Sequence, residues 1–446
     1  MYILANGKLI TRDPACGYLP DGGVVIDGTR IKEVGKTADL KAKYPEAEFI
    51  DAKGGVIMPA FINAHTHIYS ALARGLSIVG NNPTNFYEVL DGTWWAIDRK
   101  LTLAGTRASA DALYIDCIKQ GVTTIFDHHA SYCEIPGSLH AIAESAKKFG
   151  IRSCLCYEVS DRDGEEKCLQ AIQENADFIT ECEQRKDPML AAMFGGHALF
   201  TISDKTFDRM VEANNGRTGY HIHVSEGMND VYDSLQNYGR RPVQRLQDHG
   251  ILGEKTILGH CIHVNSAEIE IIKNTGTMVV NNPESNMGNA IGICPVLQLY
   301  KRGILLGLGT DAYTNDMLES IKVALCSQRS QNCLPNVGWC EVTDMLFKNN
   351  AKIGAKYFPQ QLGVLKAGAA ADIIVMDYKP FTPFSDENID GHMIFGMTGR
   401  QCQTTIAAGK LLMKDRVLVG IDEEAENAHI LEAAKKLWGD LNHREY

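Results

Sequence analysis

Between residues 58 and 361 the chain alternates short apolar runs with longer amphipathic stretches, and this rhythm limits its fold more than any other feature. The runs fall at 57–62, 122–126, 151–157, 190–194, 220–224, 256–258, 277–280 and 304–308. Candidate helices lie between them, among them 107–119, 139–149, 165–184 and 267–274. Near-continuous apolar strands separated by helices indicate a parallel sheet covered on both faces, and eight such units predict closure into an α/β barrel.

Both ends of the chain have another texture. Short β-like runs at 2–4, 24–26, 31–34, 49–50 and 56–57 are broken by turns, with Asp27-Gly28 between two β-branched runs as a hairpin signal. Runs at 372–376, 404–407 and 411–413, with Ala408-Gly409 between the last two, repeat the pattern. We therefore expect residues 1–57 and 362–420 to form one small domain, 58–361 the barrel and 421–446 a C-terminal helix.

Composition narrows the partners. The 446 residues are 45% hydrophobic and 22% charged, enough to bury a large core. Forty-four Lys and Arg against 55 Asp and Glu give a net charge of −11, which repels nucleic-acid backbones and anionic lipid. Thirteen cysteines without regular spacing fit reduced thiols, and no N-terminal signal pattern or long apolar window is found. The expectation is a cytoplasmic protein acting on a small molecule, with no nucleic-acid or membrane partner.

A barrel enzyme keeps its chemistry at the carboxyl ends of the strands. Here those ends carry His65-Thr66-His67, His197, His221-Ile222-His223 with Glu226, His260 and His263, and Asp311. Residues two apart on a strand share a face, so His65 and His67 can aim at one point. Imidazoles with a carboxylate suit Zn²⁺ or Fe²⁺. His128 and His129 follow the second strand, and alternation turns only one of them inward.

The runs Val56-Ile57-Met58-Pro59-Ala60-Phe61-Ile62-Asn63-Ala64-His65-Thr66-His67, His223-Val224-Ser225-Glu226, Gly259-His260-Cys261 and Gly307-Leu308-Gly309-Thr310-Asp311 resemble the amidohydrolase superfamily. More narrowly they resemble its branch of guanine, cytosine and S-adenosylhomocysteine deaminases and triazine chlorohydrolases. The resemblance covers nearly the whole chain. It implies a (β/α)8 TIM barrel with a small β-sandwich threaded from both chain ends, often paired as a homodimer.

Carried onto this sequence, it implies one divalent metal ion, Zn²⁺ first and Fe²⁺ as the alternative, on His65, His67, His223 and Asp311. Glu226, His260 and Asp311 are then the catalytic residues, and His197, Trp94, Trp95 and Asn281 the substrate-binding candidates. His221 shares a strand face with His223 and is an alternative ligand. Two-metal relatives carry a lysine at the end of the fourth strand; residues 190–196 contain none, so a single ion is expected. Two departures from the family pattern are Asn281-Asn282-Pro283, where relatives begin with His, and Thr310-Asp311-Ala312, where they have Gly.

The chemistry implied is hydrolytic deamination of a purine-like or other nitrogen heterocycle. A bound ion makes hydroxide available near neutral pH, Asp311 takes its proton, His260 hydrogen-bonds the oxyanion and Glu226 shuttles a proton to the ring and leaving group. The alternatives are cleavage of a ring amide or release of halide on the same site, and a catalytically silent subunit that only binds metal or ligand.

Overall fold

The structure is a computed structural model describing residues 1–312 and 314–446. The first strands are β1 (Tyr2–Ile10), β2 (Tyr18–Asp27), β3 (Arg30–Lys36), β4 (Glu48–Asp51) and β5 (Val56–Pro59). β2 and β3 form the hairpin expected at Asp27-Gly28, with Gly28 at φ 59° supplying the left-handed turn residue.

The barrel strands follow: β6 (Phe61–Thr66), β7 (Val122–Asp127), β8 (Arg152–Leu155), β9 (Leu190–Ala192), β10 (Phe194–Ala198), β11 (Tyr220–Val224), β12 (Ile257–His260), β13 (Met278–Asn281) and β14 (Leu306–Leu308). All ladders among them are parallel. β9 and β10 are halves of one strand broken at Met193; the first pairs with β8 and the second with β11. Eight staves result. The ring closes where β6 meets the end of β14: the Thr310 and Asp311 amides both donate to the His65 carbonyl, at 3.1 and 3.0 Å. Below that point Asn350 substitutes for backbone pairing, its Nδ2 donating to the Ile62 and Leu308 carbonyls at 2.7 and 2.8 Å.

The chain ends share one sheet. β15 (Ile373–Met376), β16 (Cys402–Ala407), β17 (Lys410–Lys414) and β18 (Val417–Leu418) add to it in the order β18-β17-β16-β15-β5-β1-β2-β3, with β4 on the side of β1. The apolar run expected as the first barrel strand therefore serves two sheets. Val56–Pro59 pairs with β1 and β15, and the barrel strand begins after Ala60, whose amide donates to the Asp372 carbonyl. Both halves are buried, so composition alone does not mark the break. A buried ion pair of Arg152 with Asp372 ties barrel to sheet.

Helices fill the expected intervals, including Leu103–Gln120, Ser138–Phe149, Glu165–Arg185 and Ser266–Thr275. The last helix, Glu423–Asn442, lies on Leu103–Gln120 through Lys119–Glu423, and Trp438 Nε1 donates to the Leu72 carbonyl at 2.8 Å. Among the described residues no helix is long and apolar enough to cross a membrane.

Candidate active site

Strand ends bring the polar residues together, and three of them do so through unusual backbone. Ser225, His260 and Asp311 have φ of 50°, 67° and 62°, a left-handed conformation that non-glycine residues rarely adopt and that concentrates where function fixes a side chain. Gly309 shows a related constraint. A Cβ there would lie 2.8 Å from the Cβ of His65, so the eighth strand can approach the metal-ligand candidates only as glycine.

The imidazoles are oriented by what holds their other nitrogens. His67 Nδ1 donates to the His128 carbonyl at 2.5 Å, leaving Nε2 as a lone pair 3.1 Å from Asp311 Oδ1 and 3.3 Å from His223 Nε2. His65 Nδ1 is 2.8 Å from His221 Nε2, and its Nε2 is buried without a partner. Potential ligand atoms of His65, His67 and Asp311 lie within 4.8 Å of one another, as do those of His65, His223 and His260. Electron-rich atoms converging without donors repel unless a cation sits among them, so this donor set fits a divalent ion. Burial and the neighbouring rings push His65 and His223 well below the usual histidine pKa, the neutral form that a ligand requires. His221 faces the back of His65 and orients it.

His260 and Glu226 stand beside this point. Asn286 gives its Nδ2 to Asn281 Oδ1 at 3.1 Å and turns its Oδ1 to His260 Nδ1 at 2.7 Å. The His260 proton is thereby fixed on Nδ1. Its Nε2 is an acceptor, 3.4 Å from Asn282 Nδ2, 3.5 Å from Asp311 Oδ2 and 3.7 Å from Glu226 Oε1. In this tautomer His260 takes a hydrogen bond from water, and only after protonation can it donate to an oxyanion as the sequence suggested. Burial, then the Asp311 charge, push the Glu226 carboxyl well above its usual range.

A cavity of about 30 Å³ adjoins the cluster, walled by His67, His197, His223, Glu226, Trp94 and Glu158 among others. Trp94 and Asp311 also border a larger one of about 310 Å³. Of the substrate candidates, His197 and Trp94 reach the small cavity. Trp95 packs behind His197, ring centres 5.8 Å apart, and Asn281 acts through Asn286 on His260. His128 faces the cluster, its ring 4.5 Å from that of His223, and His129 turns toward Tyr157. His263 Nε2 bonds the Ile291 carbonyl at 2.8 Å, outside the cluster.

Glu158 escaped the sequence reading. It follows β8 in Tyr157-Glu158-Val159, is 2% exposed, and places Oε1 2.9 Å from His128 Nδ1 and 3.3 Å from His67 Nδ1. Its position at the carboxyl end of the third strand was the available signal.

Fold and site define a class, a parallel barrel with a cluster of histidines and carboxylates that could hold a metal ion at its mouth. The chain belongs to the amidohydrolase family, whose profile matches residues 56–412. Residues 22–47 also match an imidazolonepropionase-like composite domain of bacteria. A 5′-deoxyadenosine deaminase of Methanosarcina mazei is 30% identical, the match covering 99% of either chain. A 5-methylthioadenosine/S-adenosylhomocysteine deaminase of Thermococcus sibiricus is 32% identical over 92% of this chain and 93% of its own. Among solved structures, a zinc-bound adenosine deaminase from Xanthomonas campestris superposes with a TM-score of 0.84 at 23% identity, covering 98% of either chain.

Proposed function

We propose that the chain is a metal-dependent aminohydrolase that deaminates a purine-like or other nitrogen heterocycle, with His65, His67, His223 and Asp311 holding one divalent ion. The observation that carries this reading is the convergence of Asp311, His260 and Glu226 beside the buried, partnerless Nε2 of His65. The zinc-bound structural neighbour supports zinc as the ion, with Fe²⁺ as the alternative. Such an ion, when bound, polarises water and lowers its pKa toward neutrality.

The remaining steps belong to side chains of this chain. Asp311 and the His260 Nε2 lone pair orient the attacking water and receive its proton. Glu226, raised by burial, carries a proton at neutral pH and delivers it to a ring nitrogen, which makes the adjacent carbon electrophilic. Once ionised, it takes the remaining proton of the added hydroxyl as the carbonyl forms and passes it to the departing amine, so that ammonia leaves as a neutral molecule; the proton held by Asp311 and His260 then restores the Glu226 acid. Trp94 supplies a flat wall of the small cavity. Ammonia release from a purine, pterin and pyrimidine panel tests the assignment; no release from protein carrying one equivalent of Zn²⁺ or Fe²⁺ refutes it.

The same proposal includes the division into a terminal β domain (1–57 with 362–420), a barrel (58–361) and a C-terminal helix (421–446), supported by which strands pair. It also includes a homodimer, on the family resemblance, a cytoplasmic setting, supported by thirteen free cysteines, and a place in purine metabolism, supported by the names of the deaminase relatives. Light scattering tests the dimer.

A further inference from the structure

Glu158 and His197, which line the small cavity together with Glu226, each turn a hydrogen-bond acceptor toward the other. His197 Nδ1 is 2.8 Å from Thr201 Oγ1, and that hydroxyl spends its only proton on the Ala198 carbonyl at 2.9 Å. His197 must therefore donate from Nδ1, and its Nε2 is a lone pair. Burial pushes this histidine down to about 3, consistent with a neutral ring.

Glu158 Oε2 lies 3.9 Å from that nitrogen, beyond hydrogen-bonding distance. Glu158 Oε1 is taken by His128, whose Nε2 donates to the His221 carbonyl at 3.0 Å. Wherever the proton between Oε1 and His128 Nδ1 resides, Oε2 stays an acceptor. Two acceptors thus stand side by side, both buried. Leaving them without a donor when substrate displaces water is costly, since a buried unpaired polar group loses its full hydration.

We infer that Glu158 Oε2 and His197 Nε2 form a specificity pair that reads a ring N–H on the edge of the heterocycle remote from the carbon being hydrolysed. The inference rests on the deamination proposed above and adds the class of substrate, a base with an unsubstituted ring nitrogen at that edge. Asp311 touches the Nε2 of His67 at 3.1 Å and Glu158 Oε1 its Nδ1 at 3.3 Å, so the carboxylate that bears Oε2 lies across the His67 ring from Asp311. A sugar hydroxyl is the other source of a donor, and the site disfavours it. Glu158 and His197 line the small cavity and not the larger one beyond Trp94. Tyr132 closes the back, its hydroxyl bonded to the Glu158 carbonyl at 2.7 Å. The relatives named for nucleosides offer a sharp contrast, because a glycosylated ring nitrogen carries no hydrogen.

The test compares kcat/KM for adenine and guanine with each singly N-methylated derivative (N3, N7, N9) and with the ribonucleosides, in zinc-loaded protein. In the native enzyme methylation of one ring nitrogen should cost at least tenfold, with the ribonucleoside no better. Glu158→Gln should shrink that ratio toward one, by losing the N–H substrate and sparing the methylated one. Thr201→Val, which frees the His197 tautomer, should shrink it in the same direction. A merely structural Glu158 would lower all substrates together and leave the ratio unchanged, which overturns the inference. So does a ribonucleoside as good as its free base while the methylated base fails, since a sugar hydroxyl is then the donor. Ammonia from no compound at all refutes the deaminase reading itself, and ammonia from every compound at equal rates refutes only the specificity pair.

Discussion

His67 and His223, from the first and fifth barrel strands, bring their Nε2 atoms to 3.3 Å, and the His67 nitrogen has its lone pair turned inward because His128 holds its other side. Two imidazole nitrogens at this distance, with the Asp311 carboxylate beside them, make a site for a cation. The protein should carry one divalent ion per chain by elemental analysis. His65→Ala and His67→Ala should each lose it. His221→Ala, which removes only the support behind His65, should weaken binding by about 10–100-fold without abolishing it.

Glu226 separates metal binding from proton transfer. Glu226→Gln keeps the shape of the side chain and removes its acid, so bound metal should stay at one equivalent while kcat falls by about 10²–10⁴-fold. Full activity in this variant contradicts the proton-carrier role.

Asn286 tests how His260 is set. Asn286→Leu removes the acceptor that holds the proton on Nδ1. We expect kcat to fall by about tenfold or more with KM for a good substrate little changed, because orientation of the attacking water is lost and substrate contacts are kept. Stopped-flow and steady-state measurements on the same preparation check this.

Glu284 gives a stability prediction. Burial, then the Glu319 charge, push this carboxyl up to about 8. An acid whose pKa is higher folded than unfolded binds more protons in the folded state. Below the unfolded value, about 4.3, both states are protonated and nothing is lost. As pH rises from there to about 8 the unfolded chain ionises first, and stability falls across that window. Glu284→Gln should therefore match the native protein in thermal midpoint near pH 4 and exceed it near pH 8. Identical midpoints at both pH values contradict it.

Arg152 and Asp372 form the buried link between barrel and terminal sheet, and Asp372 also accepts the Ala408 amide at 2.6 Å. Asp372→Ala leaves a buried guanidinium uncompensated and should cost about 3–5 kcal/mol in denaturant unfolding. A cost below about 1 kcal/mol is the contrary result.

The barrel was legible because its strands are buried on both faces and its helices are amphipathic, so period and length separate them without tertiary information. The ligand candidates were legible for a different reason: paired histidines and a Glu three residues past His223 sit where strands end. What escaped was relational. Val56–Pro59 and β6 read as one strand because both are apolar, and only pairing shows that they belong to separate sheets. Asn281 read as a substrate contact, but it reaches His260 through Asn286, a contact set by the short helix at Pro283–Gly288. Glu158 is a single carboxylate in an apolar stretch, and its importance comes from His128, distant in sequence. Which of Trp94 and Trp95 would face the cavity depended on the helical turn they share, a rotation that the sequence alone leaves open.

The central claim, that this site exchanges a ring amine for oxygen, is tested most directly by mass spectrometry of the product formed by zinc-loaded protein, alongside quantified ammonia. The account predicts a gain of about one dalton, NH₂ replaced by OH, with one ammonia per turnover and loss of both in Glu226→Gln. A gain of about eighteen daltons without ammonia would show ring opening by the same metal site and contradict it.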